Sequence, residues 1–244
     1  MENRDRKKND CAWVWAVLDR PLTNAQRDAL TTLFVPTGKA GRKQEDVRLL
    51  AYALRGYVLY RQYGLAPERQ QWRTTVHGRP YLSAHPKIDC SLSHSGSMAV
   101  CAVGRPFVGV DIQKVKRAVS LPLAQRVCTR TELRWLWQKE EAQRVEAFIG
   151  LWALKESYLK WSGEGLSRSM RSFSAYEKMP GKVETSLQGV SFSLCTPLPG
   201  YRAALCTQGP CLPDMKPIPQ EQILQFYTER SRFYSIPTSL GVKL

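Results

Sequence analysis

Four polar side chains sit where two regular elements could bring them together. In "GVDIQ" (residues 109–113), the strand period turns Asp111 and Gln113 to one face and Val110 and Ile112 to the other. In "LWALKESYLKW" (residues 151–161), helical spacing puts Glu156 and Lys160 on one face, with Lys155 next to Glu156. If strand and helix adjoin, Asp111, Gln113 and Glu156 form an all-oxygen cluster. Hard divalent cations such as Mg²⁺ take oxygen ligands and keep several waters. Lys155 and Lys160 beside such an ion would suit phosphate oxygens. The same spacing also fits a plainer reading. Asp111 then closes a strand end, and Glu156 and Lys160 form an exposed i,i+4 pair of about 0.2–0.5 kcal/mol.

"LSHSGSM" (residues 92–98) adds a histidine between serines, ahead of a glycine. A serine hydrolase built on Ser93 or Ser95, with His94 and Asp111, is one reading. The stretch lacks the G-x-S-x-G elbow, and adjacent Ser and His in one strand point apart. Anion binding by Ser93, His94 and the loop amides is the second, and a capped turn with a half-exposed histidine the third. In "VHGRPYL", Arg79 sits between Gly78 and Pro80 in a stiff turn. "PTGKAGRK" (residues 36–43) is a basic loop.

The elements that must position these residues follow from pattern. "CAWVWAVLD" reads as a first strand. Residues 43–62 place Val47, Leu50, Leu54 and Val58 on one helical face, and "KIDCSLSH" alternates as a half-buried strand. "MAVCAV" and "FVGVDIQ" flank Gly104-Arg105-Pro106 and read as a hairpin. "TRTE" (residues 129–132) has capping-box spacing. The chain also repeats itself. "YALRGYVLY" (52–60) matches "WALKESYLK" (152–160), "MAVCAVG" (98–104) matches "AALCTQG" (203–209), and "CSLSH" has a weaker echo in "SFSLC". The expected fold class is α+β: a pseudo-dimer of two similar α+β halves, residues 12–105 and 106–210, with the active site in the cleft between them. Residues 211–244 are expected to be a C-terminal appendage that starts in irregular, proline-rich chain.

The 244 residues are 43% hydrophobic, enough for a sizeable core. The net charge of +15 favours polyanionic partners without choosing among them. Seven cysteines form no CxxC pair and no Cys/His metal spacing, which argues against zinc and for a reducing, cytoplasmic setting. No run reaches the roughly 20 apolar residues of a membrane span. The expected protein is a monomer with no membrane partner. A basic nucleic-acid-binding protein is the rival from another class. It is disfavoured because the basic residues are dispersed and no nucleic-acid motif appears.

Taken in order, "HGRPYL", "CSLSHSGSMAV", "GVDIQKV" and "WALKESYLKWSGEGLS" resemble the 4'-phosphopantetheinyl transferases of the surfactin-synthetase-activating (Sfp) type. The resemblance runs from about Trp13 to about Gly209 and implies the pseudo-dimer already read from the repeat. It implies transfer of phosphopantetheine from coenzyme A to a serine of a carrier protein, with Mg²⁺ held by Asp111 and Glu156. Glu156 would accept the serine proton, and Lys160 and Lys155 would neutralise phosphate charge. Ser93, His94 and Arg79 would hold the 3'-phosphate end, with Lys39, Arg42 and Arg48 framing the adenine side. Gln113 stands where many members carry Glu, so it would act weakly or through a water. Carrier proteins present acidic recognition helices, which suits a chain of this charge.

Overall fold

The structure, a computed structural model, describes residues 11–34, 41–105, 107–115, 118, 120–209 and 214–234. The first half contains β1 (Ala12–Val17), α1 (Asn24–Thr31), α2 (Arg42–Tyr63), the pair β2 (Trp72–Thr74) and β3 (Pro80–Leu82), β4 (Asp89–Ser95) and β5 (Met98–Gly104). The second contains β6 (Val108–Lys114), α3 (Leu121–Val127), α4 (Arg130–Trp137), α5 (Glu141–Ser162), the pair β7 (Ala175–Met179) and β8 (Lys182–Thr185), β9 (Val190–Cys195) and β10 (Tyr201–Gln208). The chain closes with β11 (Lys216–Pro217) and α6 (Gln220–Tyr234).

The two main sheets run β11-β1-β5-β4 and β6-β10-β9. Apart from β11, each places its earliest strand at one side, its latest in the middle and its intermediate strand at the other side. Each half also carries one 22-residue helix and one two-stranded hairpin. The sequence repeat falls on α2 and α5, on β5 and β10, and on β4 and β9. The molecule is an α+β pseudo-dimer.

Burial explains why these segments take these forms. Leu50, Leu54 and Val58 of α2 pack with Cys101 and Val103 of the first sheet. Helix α5 is buried on two sides. Leu154, Tyr158 and Leu159 meet Phe192, Leu194 and Cys206 of the second sheet, while Phe148, Ile149 and Leu151 meet α3 and α4. A helix apolar around most of its circumference is a core helix. Thr129 and Glu132 form the expected capping box at the start of α4. Gly163 ends α5 in the left-handed conformation, at φ 75°, which a glycine adopts without steric cost. The free faces of the two sheets close on each other through Trp13, Met98 and Val100 from the first and Val110, Ile112 and Leu205 from the second. Each such fully buried side chain contributes about 1.5–3 kcal/mol.

Two expectations are corrected. Strands β5 and β6 are not a hairpin: β5 pairs with β1 and β4, and β6 pairs with β10 in the other sheet. Alternation and a Gly-Arg turn cannot distinguish a hairpin from a strand that changes sheets. The C-terminal segment is also more than an appendage where it is described. β11 lies parallel to β1, and α6 buries Ile223, Leu224 and Tyr227 in the first half's core. Tyr227 Oη donates to the Ala53 carbonyl at 2.9 Å.

Candidate active site

The junction between the halves is a seam of side chains rather than a continued ladder. From β4, Asp89 accepts from the Val108 amide at 2.8 Å, Ser91 from Val110 at 2.9 Å and Ser95 from Lys114 at 3.0 Å. Successive odd-numbered residues of "DCSLSHS" thus bind alternate amides of β6. Ser93 continues the series differently: its hydroxyl donates to Asp111 Oδ1 at 2.7 Å. The seam fixes where along the junction Asp111 sits.

Helix α5 lies directly across the same face of β6. A Cβ on Gly109 would stand 2.0 Å from the Ser157 carbonyl and 2.4 Å from the Trp161 amide, so only glycine permits this approach. That approach lets Lys160 Nζ reach Asp111 Oδ1 at 2.7 Å and the Val110 carbonyl at 3.0 Å. Asp111 is 2% exposed, and its Oδ2 accepts from Gln113 Nε2 at 2.8 Å. Glu156, one turn before Lys160, faces the same group. Burial, and after it the charge of Asp111, hold the Glu156 carboxyl above its ordinary range, with Lys160 opposing. Strand acid and helix acid therefore converge.

Glu156 and Lys160 line a cleft of about 390 Å³ between the halves. Its other walls include Arg48 and Tyr52 of α2, the turn at residues 77–80, and β4 through Cys90, Leu92 and His94. Burial, then Arg48 and Lys160, hold the His94 imidazole below its ordinary value, with Asp111 opposing. Two cations and an imidazole facing one space are a setting for an anion. Arg79 also lines the cleft, but its guanidinium is committed to Asp89 and to the Trp161 and Val108 carbonyls. Burial raises the Asp89 carboxyl, with Arg79 opposing. Arg79 therefore ties the hairpin turn to α5 and β6.

Other expected site residues lie elsewhere. Lys155 is fully buried on the opposite side of α5. Its Nζ meets Glu132 Oε1 at 3.0 Å and donates to the Met170 and Phe173 carbonyls at 2.6 Å each. Neighbouring helix positions are about 100° apart, and here Lys155 turns into the core while Glu156 turns to the cleft. Lys155 is a core residue, not a phosphate ligand. Arg42 is exposed and donates to Asn24 Oδ1 at 2.9 Å, off the cleft walls. Lys39 lies outside the described residues. The hydrolase reading lacks its serine–histidine pair: Ser93 donates to Asp111, Ser95 accepts from the Lys114 amide, and neither is bonded to His94 among the described residues.

Sequence reasoning passed over Gly109, took the Asp89–Ser95 alternation only as a half-buried strand and gave Arg55 no role at the site. The first two leave a readable signal: a glycine two positions before the acid, and polar residues at every second place of an otherwise apolar strand. Arg55 continues a stripe with Arg48 and Tyr52 at helical spacing.

The acids at the junction fit a divalent cation. Their donors are all hard oxygens, and their mutual repulsion is what such an ion relieves. Among the described residues no group of three His, Cys, Asp or Glu forms a closed cage. A pair of carboxylates leaves positions for water and substrate oxygens, as Mg²⁺ sites commonly do.

Comparison with known proteins gives the same direction. The family described as the 4'-phosphopantetheinyl transferase superfamily matches residues 107–206. The 4'-phosphopantetheinyl transferase Sfp of Bacillus subtilis (strain 168) is 31% identical over 219 residues, covering 85% of this chain and 97% of that protein. The 4'-phosphopantetheinyl transferase ffp of Bacillus subtilis is 31% identical over 212 residues, covering 81% and 92%. The 4'-phosphopantetheinyl transferase psf-1 of Bacillus pumilus is 32% identical over 170 residues, covering 66% and 71%. A two-half α+β fold, convergent acids at the junction and likeness over nearly the whole of such relatives place this chain in the 4'-phosphopantetheinyl transferase superfamily, as an Sfp-type enzyme that transfers phosphopantetheine to carrier proteins.

Proposed function

We propose that the donor is coenzyme A, that the acceptor is a serine hydroxyl of an acidic apo carrier protein, and that Mg²⁺ binds at Asp111 and Glu156. The observation that carries this reading is the Lys160–Asp111 ion pair set directly behind a cleft that Glu156, Lys160, Arg48 and His94 line. A diphosphate repels an incoming nucleophile, and more charge gathers in the transition state. Bound Mg²⁺ offsets that charge as a Lewis acid.

The serine oxygen forms a bond to the phosphorus that bears the pantetheine arm. The bond from that phosphorus to the bridging oxygen of 3',5'-ADP breaks, and the nucleotide leaves with that electron pair. Glu156 takes the serine proton, a role that its place on the cleft wall beside Lys160 allows. Lys160 is partly open to the cleft, with a side chain 30% exposed, and turns its remaining charge to phosphate oxygens. His94 and Arg48 hold the 3'-phosphate side. Gln113 supports Asp111 through its amide, and Ser93 orients the same carboxylate.

The two halves correspond to residues 12–105 and 106–210, and the enzyme works as a cytoplasmic monomer. None of the helices is long and apolar enough to cross a membrane among the described residues. Incubation with coenzyme A, Mg²⁺ and an apo carrier, read by intact mass, tests the reading. The carrier should gain one phosphopantetheine, and the gain should vanish in Glu156→Ala. An unchanged carrier mass with the wild-type enzyme across acyl and peptidyl carriers would overturn it.

A further inference from the structure

Arg55 is 8% exposed, yet it lines the cleft. Its guanidinium carbon lies 3.7 Å from the centre of the Trp72 ring and 5.1 Å from that of Tyr52. Its Nε is buried without a hydrogen-bond partner. The titratable groups around it are Cys90, Cys101, Tyr52 and Tyr227, and no carboxylate pairs with it among the described residues. A buried cation without a counter-charge is costly, and stacking on aromatic rings offsets that only in part. The deficit points to a ligand group that the cleft receives.

Position separates Arg55 from the phosphate cations. His94 feels Arg48 and Lys160, so those three mark the phosphate end. Arg55 lies seven residues beyond Arg48 on the same stripe of α2, about 10 Å along the helix axis. Trp72 is not among the cleft-lining residues, so the guanidinium stands between the indole and the open space. A planar cation with one face already stacked and its remaining access on a cleft is suited to a second flat π-system with acceptor atoms at its edge.

We propose that Arg55 receives the nucleobase of the donor, so that the purine lies on the guanidinium that the Trp72 indole already backs. This rests on the coenzyme A reading above and adds to it a specificity residue for the nucleotide end. The phosphate end then supplies chemistry, while Arg55 rewards only ligands that carry a base.

Calorimetry on the full chain tests this with two probes, 3',5'-ADP and inorganic pyrophosphate, at one Mg²⁺ concentration. Arg55→Met, which keeps the stem's volume, should weaken 3',5'-ADP by about 10-fold, within the range of a desolvated cation–π contact. Its pyrophosphate affinity should stay at the wild-type value. In turnover, the KM for coenzyme A should rise while kcat holds. Arg55→Lys, which keeps the charge and the fold but loses the planar face, should also lose 3',5'-ADP affinity. Three results would overturn the assignment: unchanged 3',5'-ADP binding in Arg55→Met, an equal loss of pyrophosphate, or full recovery in Arg55→Lys, which would mark a phosphate contact. A wild-type chain that binds pyrophosphate but not 3',5'-ADP would overturn the donor reading and this assignment with it.

Discussion

Lys160 Nζ sits 2.7 Å from Asp111 Oδ1, joining α5 to β6 at the point where Glu156 also faces Asp111. This ion pair is the hinge of the site's electrostatics. Lys160 is the nearest positive charge that both acids feel. Lys160→Met should therefore cut kcat/KM by about 10²–10³, the usual cost of one charge-stabilising donor. A smaller loss than ten-fold at saturating Mg²⁺ would place the phosphate elsewhere.

Glu156 should trade stability for function. Its folded carboxyl holds a proton more tightly than the unfolded chain does, because of burial and then Asp111. Ionising it therefore removes stability as pH rises from the unfolded value through the folded one, and at higher pH the cost is fully present. Glu156→Gln should melt a few degrees higher than wild type at neutral pH, and the gap should close below about pH 3, where the carboxyl is protonated in folded and unfolded chains alike. Transfer should fall by at least about 10²-fold. A lower melting temperature at neutral pH would contradict the repulsive pair.

The Lys155–Glu132 pair should show the reverse signature. Glu132 is fully buried, accepts from the Ala175 amide at 2.7 Å and meets Lys155. Lys155→Met strands a buried carboxylate and should destabilise the chain by about 3–5 kcal/mol. The folded fraction, assayed in the cold, should keep wild-type KM for coenzyme A. A raised KM with intact stability would return Lys155 to the site.

Gln113 donates its amide to Asp111 Oδ2. Gln113→Glu replaces that donor with a third negative oxygen donor. The variant should need less Mg²⁺ for half-maximal transfer and retain turnover at saturating metal. Loss of all transfer there would show that the amide hydrogen bond, rather than an oxygen, is what Asp111 needs.

His94 should take up a proton when the nucleotide binds. Burial, Arg48 and Lys160 keep its imidazole below the ordinary value in the free enzyme, against the opposing Asp111. A phosphate dianion beside it favours the imidazolium and lifts that value. Between the two values binding consumes a proton, so affinity strengthens as pH falls through that window. Calorimetry with 3',5'-ADP at about pH 6.5, in buffers of different ionisation heat, measures the uptake. His94→Gln should lose the part that the phosphate's own titration does not supply; equal uptake in both proteins would remove His94 from the anion site.

Much of this molecule is legible in one dimension. The 2.0 and 3.6 periods place Asp111 and Gln113 on one strand face and Glu156 and Lys160 on one helix face, and the internal repeat announces two halves, because all of these depend on residues close together along the chain. Lys155 marks the limit of that kind of reading. Composition shows a charge in an apolar helix, and only the packing of Glu132, Met170 and Phe173 around it says which way it turns. The same holds for β5 and β6, which look like a hairpin until their partners assign them to different sheets. Arg79 and Ser93 were visible as polar residues, but whether they meet a ligand or the fold's own Asp89 and Asp111 depends on contacts across the junction. Local pattern thus determined the elements, their faces and the types of acid and base available. Tertiary structure decided which charges are spent inside the protein and which remain for the cleft, because burial and counter-charge come from residues distant in the chain.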